Sequence, residues 1–311
     1  RRRVDAHFTG LRALGSEIEI ARDLQFKLDG RFRGCDIFLP EASVTATEQT
    51  MLAAAAAEGQ TTIRNAACEP HVSDLAELLC KMGAQITGIG TNVLTIEGAS
   101  TLRGAEHRVV SDHTEAGSFI ALAAATRGQV TVTGVDPRHY EMTELVFRTL
   151  GIELEFGADS ITLPAEQSGR IQPDPRGGIP DIDTGLWPQF PSDLMSVTIV
   201  MATQLNGTVL FFEKLYESRM YFVDRLIAMG ANAVICDPHR VVVTGPAKLQ
   251  GIQLSSPDIR AGIALVGAAL CASGTSIIRN IRLIDRGYEK IEEKLRTLGA
   301  RIERLNMVSD E

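Results

Sequence analysis

The sequence lacks several features that would narrow its role at once. No run of about 18 apolar residues occurs in its 311 positions, so no membrane-spanning helix is expected. It has no excess of positive charge. Against 39 Asp and Glu stand 31 Lys and Arg, a net charge of −8, which argues against a nucleic-acid partner because such partners demand a basic face. An anionic small molecule is not excluded, since a local arginine cluster can sit in an acidic protein. Cysteine is sparse: Cys35, Cys68, Cys80, Cys236 and Cys271 are odd in number and irregular in spacing. No Cys-x-x-Cys pair and no His/Cys metal spacing occurs, so free thiols in a reducing cytoplasm are expected. Cys80 and Cys271 fall in apolar helical stretches and are expected in the core. There is no P-loop, no Gly-x-Gly-x-x-Gly after a strand and no Gly-x-Ser-x-Gly elbow. No Met precedes Arg1-Arg2-Arg3 and no apolar run follows it, so a fragment or processed chain is expected rather than a secretory leader.

What is present is an internal repeat. From Thr47 the chain reads as an apolar helix (Met51–Ala57), a β-branched strand (Thr61–Ile63), a second helix stopped by Gly83, and a hairpin broken at Gly90-Thr91-Asn92. The same order returns at Glu115–Leu163, Asp193–Thr244 and Ile259–Ile302, each with a Leu/Met-Gly-apolar stop after the second helix, the last copy ending in a single strand in place of the hairpin. Leu11–Leu28 supplies only a helix end, Leu14-Gly15-Ser16, and its strands, giving about four and a half copies spaced by about 70 residues. The first helix of each copy is apolar nearly all round, which predicts burial, while the strands alternate apolar and polar, which predicts sheets with one wet face. The expected arrangement is therefore helices inside and sheets outside. The Pro- and Gly-rich stretch Ser168–Pro191 reads as a long connection that could line a cleft, and a boundary between domains is expected near Arg103–Ser111.

Three segments stand apart at comparable places in their copies. In Phe190-Pro191-Ser192-Asp193 the acid opens a buried helix, where it would serve either as an N-cap or as a carboxylate held for general-base work. Tyr216-Glu217-Ser218-Arg219 follows a strand. Pro257-Asp258-Ile259-Arg260 and Ile284-Asp285-Arg286-Gly287-Tyr288-Glu289 form the third set. Arginines at loop-to-helix junctions can grip phosphate or carboxylate in a bidentate fork. Spacing alone points to a small anionic ligand.

The run Ile284–Leu295 closely resembles that of UDP-N-acetylglucosamine 1-carboxyvinyltransferases, the enolpyruvyl transferases that open peptidoglycan synthesis. So do Phe190–Asp193, Asp258–Ala261, Ser43–Glu48 and Asn65–Pro70, and the resemblance covers essentially the whole chain. It implies an α/β (α+β) fold, the inside-out α/β prism of the EPSP synthase type, built from repeated helix-strand-helix-hairpin units in two lobes. On this reading residues 1–110 are an incomplete first lobe of about one and a half repeats, and 111–311 a second lobe of three.

The resemblance implies transfer of the enolpyruvyl group of phosphoenolpyruvate to the 3-hydroxyl of UDP-N-acetylglucosamine, with phosphate released and no metal or organic cofactor. Asp193 matches the aspartate that deprotonates the sugar hydroxyl. Arg260 and Arg286 match arginines that hold phosphoenolpyruvate, Arg219 a further site arginine, and Glu217 its acidic neighbour. Arg2, Val4, Asp5 and Ala6, with Ser43, Val44 and Thr45, match positions around the uridine nucleotide, and Leu215 an apolar contact to the same substrate. The family's loop acid and its lysine-asparagine pair have no counterpart in the sequence, so the chain by itself is expected to be impaired. Two alternatives stand beside this reading: 3-phosphoshikimate 1-carboxyvinyltransferase, which shares the fold, and a non-catalytic UDP-sugar-binding paralogue.

Overall fold

The computed structural model describes residues 4–20 and 24–305, which fall into two compact units. The first comprises 4–110 with Leu186–Pro188. Its elements are α1 (Asp5–Ala13), β1 (Glu17–Ile20), β2 (Leu24–Lys27), β3 (Asp36–Phe38), α2 (Val44–Ala55), β4 (Gln60–Arg64), α3 (Pro70–Lys81), β5 (Gln85–Thr87) and β6 (Val93–Glu97). β1 and β2 form an antiparallel pair, and the other strands a sheet in the order β3-β4-β6-β5. β3 runs parallel to β4, with Ile37 opposite Ile63, and the remaining pairings are antiparallel.

The second unit, 111–185 with 189–305, holds three copies. They are α4 (His113–Ala125), β7 (Val130–Thr133), α5 (Glu141–Thr149), β8 (Glu155–Phe156) and β9 (Ser160–Leu163); then β10 (Asp181–Asp183), α6 (Ser192–Ala202), β11 (Gly207–Phe212), α7 (Val223–Ala228), β12 (Asn232–Ile235) and β13 (Arg240–Gly245); then β14 (Gln253–Ser255), α8 (Ile259–Cys271), β15 (Ile277–Arg279) and α9 (Ile291–Thr297). The sheets run β7-β9-β8, β10-β11-β13-β12 and β14-β15. Helices α4, α6 and α8 pack together at the centre, and their apolar all-round sequences are the reason. In α6 every residue but Asp193 is buried, and in α8 the run Ala261–Ala268 is buried without a break. Two helical glycines permit the close approach. A Cβ on Gly267 would lie 2.3 Å from Leu122 Cδ2, and one on Gly117 2.9 Å from Leu194 Cδ1. Strands such as β4 and β6 bury alternate residues, so the sheets face outward, as their period of two predicts.

The repeat is punctuated by one backbone device. After α1, α3, α5, α7 and α9 come Gly15, Gly83, Gly151, Gly230 and Gly299, all with positive φ. Each glycine N–H donates to the carbonyl three residues back, and the next residue's N–H to the carbonyl five back, as in Ala231 N to Leu226 O at 2.9 Å. This is the Schellman stop, which favours the one residue with no Cβ to clash in the left-handed region.

Two expectations need correction. The short strands β3, β10 and β14 were not foreseen; each pairs in parallel with the strand after the following helix, and β10 lies inside the supposed long connection Ser168–Pro191. Conversely, no strand forms between Ala300 and Leu305. In the other copies the strand after the second helix is held in a hairpin, and no hairpin partner for 301–305 occurs among the described residues. Cys80 and Cys271 are partly buried and pack against the apolar cores of their units, in keeping with expectation.

Candidate active site

The central helices α2, α4 and α8 begin on side-chain caps: Ser43 accepts from Ala46 N, Asp112 from Thr114 N and Glu115 N, and Asp258 from Arg260 N and Ala261 N. Helix α6 is the exception. Its cap position is Pro191, with no side-chain bond, and Asp193 lies one residue inside the helix. The N-cap reading of Asp193 is therefore wrong. Its carboxylate faces two guanidinium groups: Oδ1 lies 2.7 Å from Arg219 Nη2 and Oδ2 2.5 Å from Arg260 Nη2. Burial acts to raise the Asp193 carboxyl, but the charges of Arg260 and Arg219, with their hydrogen bonds, outweigh it and hold the group below the ordinary carboxylate range.

Each arginine is seated by its own surroundings. Arg260 stands on the first turn of α8, whose backbone is fixed by the Asp258 cap. Its Nη1 donates to the Tyr288 hydroxyl at 3.4 Å, and its Cζ lies 5.9 Å from the Tyr288 ring centroid. Tyr288 is fully buried and shares a 2.8 Å hydrogen bond with Ser118. Desolvation raises its phenol despite the Arg260 charge, so it remains a neutral hydroxyl beside the cation. Arg219 stacks on Tyr216, 4.8 Å from Cζ to the ring centroid, and its Nη1 donates to Ser192 O at 3.1 Å. Asp193, Arg219 and Arg260 together carry one net positive charge in a half-buried setting, which suits an anion of limited size.

The other expected residues of this unit fall around the cluster without joining it. Arg286 is exposed and makes no ion pair among the described residues. Its loop nevertheless passes beside Arg260, because a Cβ on Gly287 would lie 3.9 Å from Arg260 Nη1. That loop is clamped by Arg304, which reaches Asp285 at 2.6 Å and Glu292 at 2.7 Å. Glu217 is exposed and does not meet Asp193 or Arg219. Leu215 is 39% exposed, with its N–H donated to Glu213 Oε1 at 2.8 Å. Glu213, fully buried, is the carboxylate that organises this turn. No sequence signal marked it, since it sits at a strand end without a motif.

In the first unit the structure brings together Val4, Asp5 and Ala6 at the start of α1 and Ser43, Val44 and Thr45 at the start of α2. His7 links the two turns, bonding Thr45 Oγ1 at 3.1 Å through Nε2 and Gln49 through Nδ1. Ala6 is buried and Val4 is exposed. Arg2 lies outside the described residues. Burial, with a carboxylate next door in the chain, raises both the Cys35 and Cys68 thiols, so neither is primed as a thiolate. Among the described residues no group of three or more His, Cys, Asp or Glu is placed to hold a metal, and no helix is long and apolar enough to cross a membrane.

Comparison with solved structures gives the fold. The enolpyruvyl transferase NikO from Streptomyces tendae superposes with a TM-score of 0.84 at 22% identity, covering 96% of this chain and 72% of that one. EPSP synthase from Acinetobacter baumannii gives 0.70 at 17% identity, covering 95% and 70%. The fold is thus that of the enolpyruvyl transferases. The family model described as EPSP synthase (3-phosphoshikimate 1-carboxyvinyltransferase) matches residues 1–295. The chain is 52% identical to UDP-N-acetylglucosamine 1-carboxyvinyltransferase of Treponema denticola, over 97% of this chain and 71% of the relative. It is 49% identical to the protein of the same name in Bradyrhizobium diazoefficiens, over 98% and 70%. The chain belongs to the EPSP synthase family and, within it, to the UDP-N-acetylglucosamine 1-carboxyvinyltransferases.

Proposed function

We propose that this protein transfers the enolpyruvyl group of phosphoenolpyruvate to the 3-hydroxyl of UDP-N-acetylglucosamine, releasing phosphate, in the first committed step of peptidoglycan synthesis. The observation that carries the reading is the pairing of Asp193 with Arg219 and Arg260, at positions that match the family's motifs. The sugar hydroxyl adds to C2 of phosphoenolpyruvate while C3 gains a proton. Elimination then breaks the C2–O bond to phosphate and returns a proton from C3. Asp193 is the base for the hydroxyl, and its lowered carboxyl keeps it ionised at neutral pH.

Arg260, Arg286 and Arg219 hold the phosphate and carboxylate, where fixed cations act on charge that shifts during the reaction. An incoming dianion competes with Asp193 for the same guanidinium groups. Its arrival loosens the two ion pairs and frees a carboxylate oxygen for the hydroxyl proton. Glu217 is the acidic neighbour of this arginine set. Val4, Asp5, Ala6, Ser43, Val44 and Thr45, with Arg2 and Leu215, recognise the nucleotide substrate. Five free thiols suit a reducing cytoplasm.

The test is phosphate release from the two substrates by the protein expressed from its complete reading frame. Asp193→Asn is expected to lower the rate by about 10²–10⁴-fold, the usual weight of a general base. Acceptance of shikimate 3-phosphate in place of the UDP-sugar would overturn the reading.

A further inference from the structure

Glu213, at the end of β11, is a fully buried carboxylate with no cationic partner among the described residues. Four neutral donors meet it instead. Oε1 accepts from Thr184 Oγ1 at 3.0 Å, Leu215 N at 2.8 Å and Tyr216 N at 3.2 Å, and Oε2 accepts from Ser192 Oγ at 2.7 Å. Its backbone is pinned as well: its N–H donates to His239 O at 2.8 Å, and His239 Nδ1 lies 2.6 Å from its carbonyl. An apolar side chain would occupy this space without the penalty of burying a charge. The donors say what the charge is there to hold, because they come from three separate segments that it joins: the strand end at Thr184, the start of α6 at Ser192, and the turn that leads to Arg219.

Those segments carry both partners of one ion pair. Ser192 immediately precedes Asp193, and its carbonyl accepts from Arg219 Nη1. Tyr216, whose N–H Glu213 holds, presents the ring on which Arg219 stacks. We infer that Glu213 is a positioning residue for the transfer reaction, setting the distance between Asp193 and Arg219 from beneath. The inference rests on the transfer reading above.

The two substitutions to compare are Glu213→Gln and Glu213→Ala in the protein expressed from its complete reading frame, assayed well below their melting temperatures. The glutamine keeps the Oε1 acceptor, and its amide can donate to Ser192 Oγ, so its kcat is expected within about threefold of wild type. The alanine leaves two backbone N–H groups unmatched, and kcat is expected to fall by roughly 10²-fold, the effect of a misplacement near 1 Å. The acid limb of its rate profile should also move to higher pH. Asp193 is faced by Arg219 from the turn and by Arg260 from α8, with Tyr288 behind Arg260, and a displaced Arg219 leaves it less well held as the anion.

Ser192→Ala removes only the Oε2 bond and serves if the alanine at 213 does not fold; about a tenfold loss of kcat with an unchanged melting temperature is expected. A merely structural role predicts lower melting temperatures with the acid limb and the kcat of folded protein unmoved. That result, or a glutamine variant as impaired as the alanine, overturns the inference alone. Wild-type protein that releases no phosphate from the UDP-sugar and phosphoenolpyruvate overturns the transfer reading and the inference with it.

Discussion

At the scale of single residues, the site turns on one departure from a pattern. Helix α6 follows the burial of its neighbours at every position except Asp193, and it lacks the side-chain cap that α2, α4 and α8 possess. The acid is thereby left for Arg219 and Arg260. Because they hold it below its ordinary value of 3.8, the pairing contributes stability that is fully present above about pH 4 and is lost as pH falls through the lower folded value. For the same reason the kcat/KM acid limb due to Asp193 should lie below 3.8 in wild type and move upward in Arg260→Ala, a shift read from the pH dependence of initial rates. An unmoved limb would mean that Arg260 does not set the charge of Asp193. The arginine variant should also lose about 10²–10³-fold in kcat, as when a fixed donor to a developing anion is removed. The sequence singled out Asp193, Arg219 and Arg260 because each sits in a short motif just before or at the start of a helix, and the fold brings these three together. Glu213 was not singled out, since a lone acid after an apolar strand is usually a solvated strand end, and only the folded chain shows four donors converging on it.

At the scale of elements, the stops were plain and the short strands were not. Leu14-Gly15, Met82-Gly83, Leu150-Gly151, Met229-Gly230 and Leu298-Gly299 announce helix ends because the left-handed position selects glycine chemically. Gly230→Ala is expected to cost about 1–2 kcal/mol, the strain of a Cβ in that region, measured by urea unfolding. Gly267→Ala probes a different constraint, since its added methyl would meet Leu122 at 2.3 Å across the α4–α8 contact. A loss of about 1–3 kcal/mol is expected there, as in other overpacked cores. Strands β3, β10 and β14 have only three residues each, too few to display alternation, and they owe their existence to partners in β4, β11 and β15. The last expected strand failed for the converse reason: Ile302, set among Arg301, Glu303 and Arg304, has no hairpin partner among the described residues.

At the scale of the whole molecule, the transfer reading makes a thermodynamic demand. A ligand that binds only the folded state adds stability by mass action, about 2.7 kcal/mol at a hundredfold excess over its Kd. UDP-N-acetylglucosamine at that concentration should therefore raise the Tm in a thermal-shift measurement, while shikimate 3-phosphate should not. A net charge of −8 does not oppose this, because two arginines, Arg219 and Arg260, meet at Asp193 and leave that spot with a local excess of positive charge. The sequence by itself determined the repeat, the buried helices and wet-faced sheets, and the family, because periodicity, glycine stops and contiguous motifs are local properties that survive without coordinates. Tertiary structure alone decided that Asp193 is an ion-pair partner rather than a cap, that Glu217 and Arg286 flank the cluster rather than complete it, and that Glu213 lies beneath it. These are matters of which side chains from distant segments meet within about 3 Å, and hydrogen-bond and ion-pair energies fall off too steeply with distance for spacing along the chain to reveal them.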